Sequence, residues 1–347
     1  MDYVILKKDK FDDFILSLNK IKKVIAPVKK SEKQFVFSEV KSAKEISLEY
    51  IPTILPPKKY FMPQYETLIE YDIKEGQKMQ AVLEYEEIIL FAVHTCDLTG
   101  IQCLDVVFSD RPKDLNYLIR KNKITIIGYE CNSYCDDYAS CGLMDNNLPN
   151  GGYDLFFTDL GGYFMIHVNT QMGEDIINSV NLFEKAEASN INDLEKLREK
   201  KRGIFKNEVN IEHREIPELF DKSFDSPTWD EIGNRCLSCA NCTNVCPTCY
   251  CFDVIDEPNF DLKTGKRIRV WDSCQNEPFA KISSGESFRK HRSDRKRHRF
   301  YRKFKYHVEK YNNFFCTGCG RCSRVCMAKI NLKETLQCLI NETSVKK

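Results

Sequence analysis

Two stretches near the C-terminal end concentrate the residues able to bind metal. The first places cysteines at Cys236, Cys239, Cys242 and Cys246, with Pro247 next; the second places them at Cys316, Cys319, Cys322 and Cys326. Each is a C-x2-C-x2-C-x3-C run, the spacing in which three thiolates hold one cluster and the fourth reaches its neighbour. Thiolate is the soft, charged donor that iron–sulfur clusters select. On this crossed scheme Cys236, Cys239, Cys242 and Cys326 bind one 4Fe–4S cluster, and Cys316, Cys319, Cys322 and Cys246 bind the other. Structural zinc, the competing reading, usually takes its ligands in two separated pairs. The runs point to two 4Fe–4S clusters, with metal binding coupled to folding of the region that carries them.

Three further cysteines, Cys249, Cys251 and Cys274, lie in the insert between the runs. In an extended segment residues two apart face one side, so Cys249 and Cys251 suit a third metal centre with Cys274. Its fourth ligand would come from Cys131, Cys135 or Cys141, spread as C-x3-C-x5-C, or from an Asp or His. The plainer reading is that these are buried free thiols packing as small apolar groups. Cys96, Cys103 and Cys338 are expected to pack in the same way. No residue is expected to be catalytic: Ser, His and Asp form no recognisable nucleophile motif, and His94 beside Cys96 reads as structural.

Residues 287–306 hold ten Lys or Arg and a single acid, Asp294. Lying between two sets of thiolates, such cations suit partner docking, through Arg295, Arg297, Arg299 and Arg302, and tuning of cluster potential. The alternative class is a nucleic-acid-binding or regulatory iron–sulfur protein, because Phe288, Phe300, Tyr301, Phe304 and Tyr306 interleave with the charges. Against that, Lys+Arg 52 and Asp+Glu 51 nearly cancel over the 347 residues. Seventeen cysteines, an odd number mostly in ligand-type spacing, argue for a reducing compartment rather than a disulfide framework. The N-terminus lacks the apolar core of a signal peptide, and the longest apolar run, residues 88–93, is too short for a membrane span. The expectation is a cytoplasmic protein without membrane contact.

The elements that hold these residues follow from periodicity. Phe11, Phe14, Ile15, Leu18 and Ile21 recur at helical spacing behind Asp9 as N-cap. Residues 24–26, 35–37 and 66–71 read as strands, and Pro52, Pro56, Pro57 and Pro63 exclude regular structure between them. The runs 88–93 and 124–127 suit buried parallel strands of an α/β unit, whose ligand-facing residues lie beyond the strand ends. Residues 154–168 read as a hairpin turning at Gly161-Gly162. Helices are expected over 174–188 and 191–201, and one beginning at Trp229 leads into the first ligands. The fold class is α+β: an N-terminal α/β domain (1–189), a charged linker (190–225) and a helical two-cluster domain (226–347).

Leu55-Pro-Pro-Lys-Lys59, Cys96-Asp-Leu98, Gly152-Tyr-Asp154, both cysteine runs, Cys249-Tyr-Cys251-Phe and Trp271-Asp-Ser-Cys274 together resemble one family. It is the β subunit of cytoplasmic nickel–iron sulfhydrogenases (sulfur reductases), with the corresponding iron–sulfur subunit of anaerobic sulfite reductase as a relative. The resemblance runs from about Pro52 to Cys338. It implies an electron relay, in a heteromultimer, from or to a subunit that binds flavin and NAD(P), with a separate hydrogenase or reductase subunit at the other end. It also implies a cluster domain of the α-helical ferredoxin type, which the long insert 247–315 supports independently. Two departures stand out: Met327 occupies the usual Pro position after the second run, and the family's Cys-x-Cys pair before Gly-Tyr-Asp is replaced by C-x3-C-x5-C.

Overall fold

The apolar runs become the middle of a mixed sheet. The computed structural model describes residues 3–74 and 78–345. Its strands are β1 (Tyr3–Lys7), β2 (Lys23–Ser31), β3 (Gln34–Glu39), β4 (Tyr65–Asp72), β5 (Lys78–Ala81) and β6 (Ile88–His94). There follow β7 (Ile124–Tyr129), β8 (Leu155–Asp159), β9 (Tyr163–Val168), β10 (Glu184–Lys185), β11 (Phe252–Pro258) and β12 (Thr264–Trp271). Eight of them form one sheet in the order β10-β1-β9-β8-β7-β6-β2-β3. Its centre, β2-β6-β7-β8, is parallel, and every residue of β6 and β7 is buried.

Burial on both faces explains the continuous apolar sequence of these strands. Helices Phe11–Ile21 and Gln171–Ser179 cover one face through Phe14, Ile15, Leu18 and Ile176. Helices Thr95–Ser109 and Leu115–Lys123 cover the other through Leu98, Ile101, Leu104 and Tyr117. β8 and β9 form the expected hairpin, with Gly161 at φ +90 in the turn. A bulge between Leu90 and Val93, with Ala92 at φ +58, bends β6 before it delivers His94 and Cys96 to the sheet's end.

Several boundaries differ from the sequence reading. Asp9 is not the N-cap of the first helix; it sits in a preceding turn, and Lys10 takes the cap position without a side-chain bond. The helix expected over 174–188 stops at Ser179, where the chain bends to lay β10 along β1. Residues 190–225, read as a charged linker with a helix over 191–201, hold helix Ala188–Ile204 and a further helix, Ile216–Lys222. The first plants Lys201, fully buried, on Glu130 at 2.5 Å. The second contributes Ile216, Leu219 and Phe220 to a core with Trp229, Phe300 and Phe304. Low apolar content here reflects one narrow buried stripe on each helix.

The insert between the cysteine runs folds back on the N-terminal half. Its hairpin β11-β12 joins β4 and β5 in a second, four-stranded antiparallel sheet, β11-β12-β4-β5. Glu66 on β4 is buried between Arg120 (2.6 Å) and Arg269 of β12 (2.5 Å). The insert also supplies helix Arg292–Phe304, packed on helix Thr228–Arg235, and the short helix Tyr306–Tyr311.

Candidate iron–sulfur centres

The two cysteine runs fold the same way. In the first, Ser238 and Ala240 flank Cys239 with φ of +52 and +63; in the second, Gly318 and Gly320 flank Cys319 with +70 and +71. A one-turn helix follows each, Asn241–Asn244 and Arg321–Arg324. Left-handed residues on both sides of the middle cysteine curl the run so that its thiols face inward. Backbone N–H groups then reach sulfur: Ser238 N donates to Cys236 Sγ at 3.3 Å, and Ile330 N to Cys326 Sγ at 3.3 Å.

Each fold encloses a cavity, and the two cavities divide the eight cysteines between them. One is lined by Cys236, Cys239, Cys242 and Cys326 with Lys296 and Gln275. The other is lined by Cys246, Cys316, Cys319 and Cys322 with Arg299 and Lys303. The last cysteine of each run thus lines the other run's cavity. Among the described residues no three Cys, His, Asp or Glu side chains close on a single-ion position. A zinc site needs all four donors about 2–2.3 Å from one point. Four thiolates are the complete donor set of a 4Fe–4S cube, so the donor set matches the group.

The basic block turns inward. Helix Arg292–Phe304 runs between the cavities and buries Arg295, Lys296, Arg299 and Lys303. Lys296 Nζ donates to Cys242 Sγ at 3.7 Å, Arg299 donates to Cys242 O at 3.2 Å, and Lys303 Nζ to Thr248 Oγ1 at 2.7 Å. None of these three pairs with a carboxylate among the described residues. Burial works against the charge of Arg299, but Cys242, Cys322, Cys249 and Cys246 around it hold its pKa above the ordinary value. Lys303 is likewise raised, burial being outweighed by Cys246 and Cys249. Docking through Arg295 and Arg299 is thereby corrected: both are buried, and only Arg297 and Arg302 keep partial exposure. The aromatic side chains follow suit, Phe300, Tyr301 and Phe304 being core while Phe288 and Tyr306 are exposed.

The remaining cysteines fall into two groups. Cys251 and Cys274 touch, and Cys251 with Gln275 holds the Cys274 thiol down to about 6. Cys249 instead lies against Cys246, with Lys303 alongside. The insert thus gathers three uncommitted thiols, the neighbouring fourth being Cys246 of the second cavity. Lys58, whose Nζ donates to Cys249 O at 2.7 Å, is lowered by burial to about 8. The other group, Cys96, Cys131, Cys135 and Cys141, lies at the C-terminal ends of β6 and β7. Cys103 is buried as expected, donating to Phe314 O at 3.5 Å, whereas Cys338, expected in the core, is exposed on helix Leu332–Val345.

Sequence reasoning missed how the α/β half grips the second cavity. Arg321, next to Cys322, is 1% exposed and forks onto both oxygens of Asp97 at 2.6 and 2.7 Å, with Thr53 O at 2.8 Å. Burial opposes the Arg321 charge, yet Asp97 and Cys319 raise its pKa. Asn146 accepts from Thr99 and donates to Thr317 O at 2.9 Å. The only signals in sequence were an Arg between two ligand-type cysteines and an Asp after Cys96.

A family of 4Fe–4S dicluster domains matches residues 235–330, the span of both cages. The β subunit of sulfhydrogenase 2 from Pyrococcus furiosus is 32% identical over 331 residues, covering 95% of this chain and 96% of that protein. No described helix is long and apolar enough to cross a membrane. With two 4Fe–4S clusters as its cofactors, the chain belongs to the sulfhydrogenase β-subunit family, as an iron–sulfur electron-transfer subunit.

Proposed function

We propose that the chain relays electrons, in the cytoplasm, between a flavin- and NAD(P)-binding partner and a catalytic subunit of hydrogenase or sulfur/sulfite-reductase type. The Pyrococcus furiosus relative carries the name of a sulfhydrogenase β subunit, which supports a partner of that class. The ligands in this reading are Cys236, Cys239, Cys242 and Cys326 for one cluster, and Cys316, Cys319, Cys322 and Cys246 for the other. The observation that carries it is the sharing of one cationic helix by two crossed four-thiol cages. When bound, the clusters supply one-electron storage at low potential.

The residues around the cages serve that storage. Lys296, Arg299 and Lys303 offset thiolate and cluster charge in a site largely closed to water, where such interactions are strong. The first cage opens at Leu237 and Met327, 61% and 75% exposed, and Cys239 is exposed too. That apolar rim is the side we assign to a partner subunit. Residues 1–189 form the docking platform and 226–347 the cluster domain, with the helices between them acting as struts. Anaerobic purification should yield about eight iron and eight sulfide per chain from these cages, with spectra of two interacting clusters. Stoichiometric zinc in place of iron overturns the reading, and co-purification names the catalytic partner.

A further inference from the structure

Four cysteines lie outside both cages yet converge beside one of them. β6 and β7 are parallel neighbours, with His94 paired to Tyr129. Cys96 and Cys131 are each two residues beyond that pair, so the register brings them side by side at the sheet's C-terminal end. Cys135 and Cys141 return to the same place because their loop is pinned to the second cage. Ser140 N donates to Gly318 O at 2.7 Å, and a Cβ on Gly318 would lie 2.5 Å from Cys141 N. Arg324 Nε holds Asp136 at 2.6 Å.

The thiols sense one another. Cys131 touches Cys135, and Cys96 and Cys141 are close enough to act on the charge of both. Contact with Cys131, and with the ring of His94, holds the Cys135 thiol down at about 5. Cys96 and Cys141 each lie within electrostatic reach of Cys319, a lining residue of the second cage. His94 is buried at 4% exposure, stacked on Tyr50 at 3.8 Å, and its Nδ1 has no hydrogen-bond partner among the described residues. Over this group opens a cleft of about 450 Å³, lined among others by Tyr50, His94, Cys131, Asn132 and Cys135.

We infer that Cys96, Cys131, Cys135 and Cys141 ligate a third iron–sulfur cluster at the strand ends, next to the second cage and beneath this cleft. Four thiolates, one following β6 and three from the loop after β7, are a complete donor set for a cube. The insert set of Cys249, Cys251 and Cys274 is one thiol short, since Cys246 already lines the second cage. The inference rests on the relay reading and extends it: the third cluster gives the chain a terminus in the α/β half. The cleft is then where an electron-carrying cofactor of a partner comes close.

The test is metal content of the full chain purified anaerobically. Wild-type protein should carry about twelve iron, and Cys131→Ser with Cys135→Ser about eight, while Cys251→Ser keeps about twelve. The spectrum of the interacting pair should survive in the double variant, which also shows that it folds. Alkylation of intact wild-type protein gives an independent readout that needs no variant. As ligands Cys131 and Cys135 are protected despite lining an open cleft, and they become reactive once iron is stripped. Wild-type protein with only about eight iron overturns the inference but leaves the relay reading standing. A reversible Cys131–Cys135 disulfide without added iron does the same, as does loss of iron in Cys251→Ser alone. Absence of the pair itself overturns the relay reading.

Discussion

The two cages share a backbone and differ in everything around it. In the first, the left-handed positions beside the middle cysteine are Ser238 and Ala240; in the second they are Gly318 and Gly320. Both pairs adopt the same φ, so the cluster does not demand glycine. The neighbour does: a Cβ on Gly320 would meet Tyr138 C at 2.7 Å, and one on Gly318 would meet Ser140. The first cage ends in exposed Leu237 and Met327, while the second is covered by the 131–146 loop and clasped by Asp97. One duplicated motif has thus become a surface station and an interior one, and the difference lies in residues that bind no metal.

The comparison breaks first at the clasp. Asp97→Ala leaves Arg321 buried without its counter-charge, a loss of about 3–5 kcal/mol. Chemical denaturation should show it, with iron lost from the second cage while the first keeps its spectrum. Next comes Gly320→Ala, which adds about 1–2 kcal/mol of left-handed strain to about 1–3 kcal/mol of overpacking. Iron analysis after mild heating should find the second cluster depleted. Lys296→Met sharpens the contrast electrically, since only the first cage has this cation on a ligand sulfur. Redox titration should find that cluster lowered by roughly 60 mV, a tenfold change in its one-electron equilibrium, with the second much less affected. The smallest effect is the reciprocal swap Ala240→Gly, which relieves strain in the first run. It should raise the unfolding midpoint slightly, by no more than about 1 kcal/mol, because glycine's extra chain entropy offsets part of the gain.

The two clusters were the most legible part of the sequence, because close cysteine spacing is a local property. The buried strands were legible for a similar reason: β6 and β7 are apolar throughout because both faces are covered. What spacing does not carry is direction across the molecule. The basic block reads as serving partner docking and cluster tuning alike, and only the fold shows that Lys296, Arg299 and Lys303 recur at helical spacing on the face turned to the cages. Residues 190–225 read as a linker because each helix there buries a narrow stripe, one of them a lysine, Lys201. The convergence of Cys96 and Cys131 depends on which strands pair, and at what register, which no local pattern states.

The second sheet has a consequence for how such a protein is inherited and engineered. Its strands β4 and β5 come from the N-terminal half, and β11 and β12 from between the two cysteine runs. Cutting the chain after residue 205 to obtain a free-standing ferredoxin would strip β12 of its neighbour along the whole β4 ladder, from Thr264 to Val270. It would also leave Arg269 without Glu66. A bare strand edge invites pairing with other chains, so the fragment should aggregate where the intact chain does not. The cluster-binding half is therefore not a portable module. The match to its Pyrococcus furiosus relative likewise runs over 95% of the chain rather than over the cysteine runs alone.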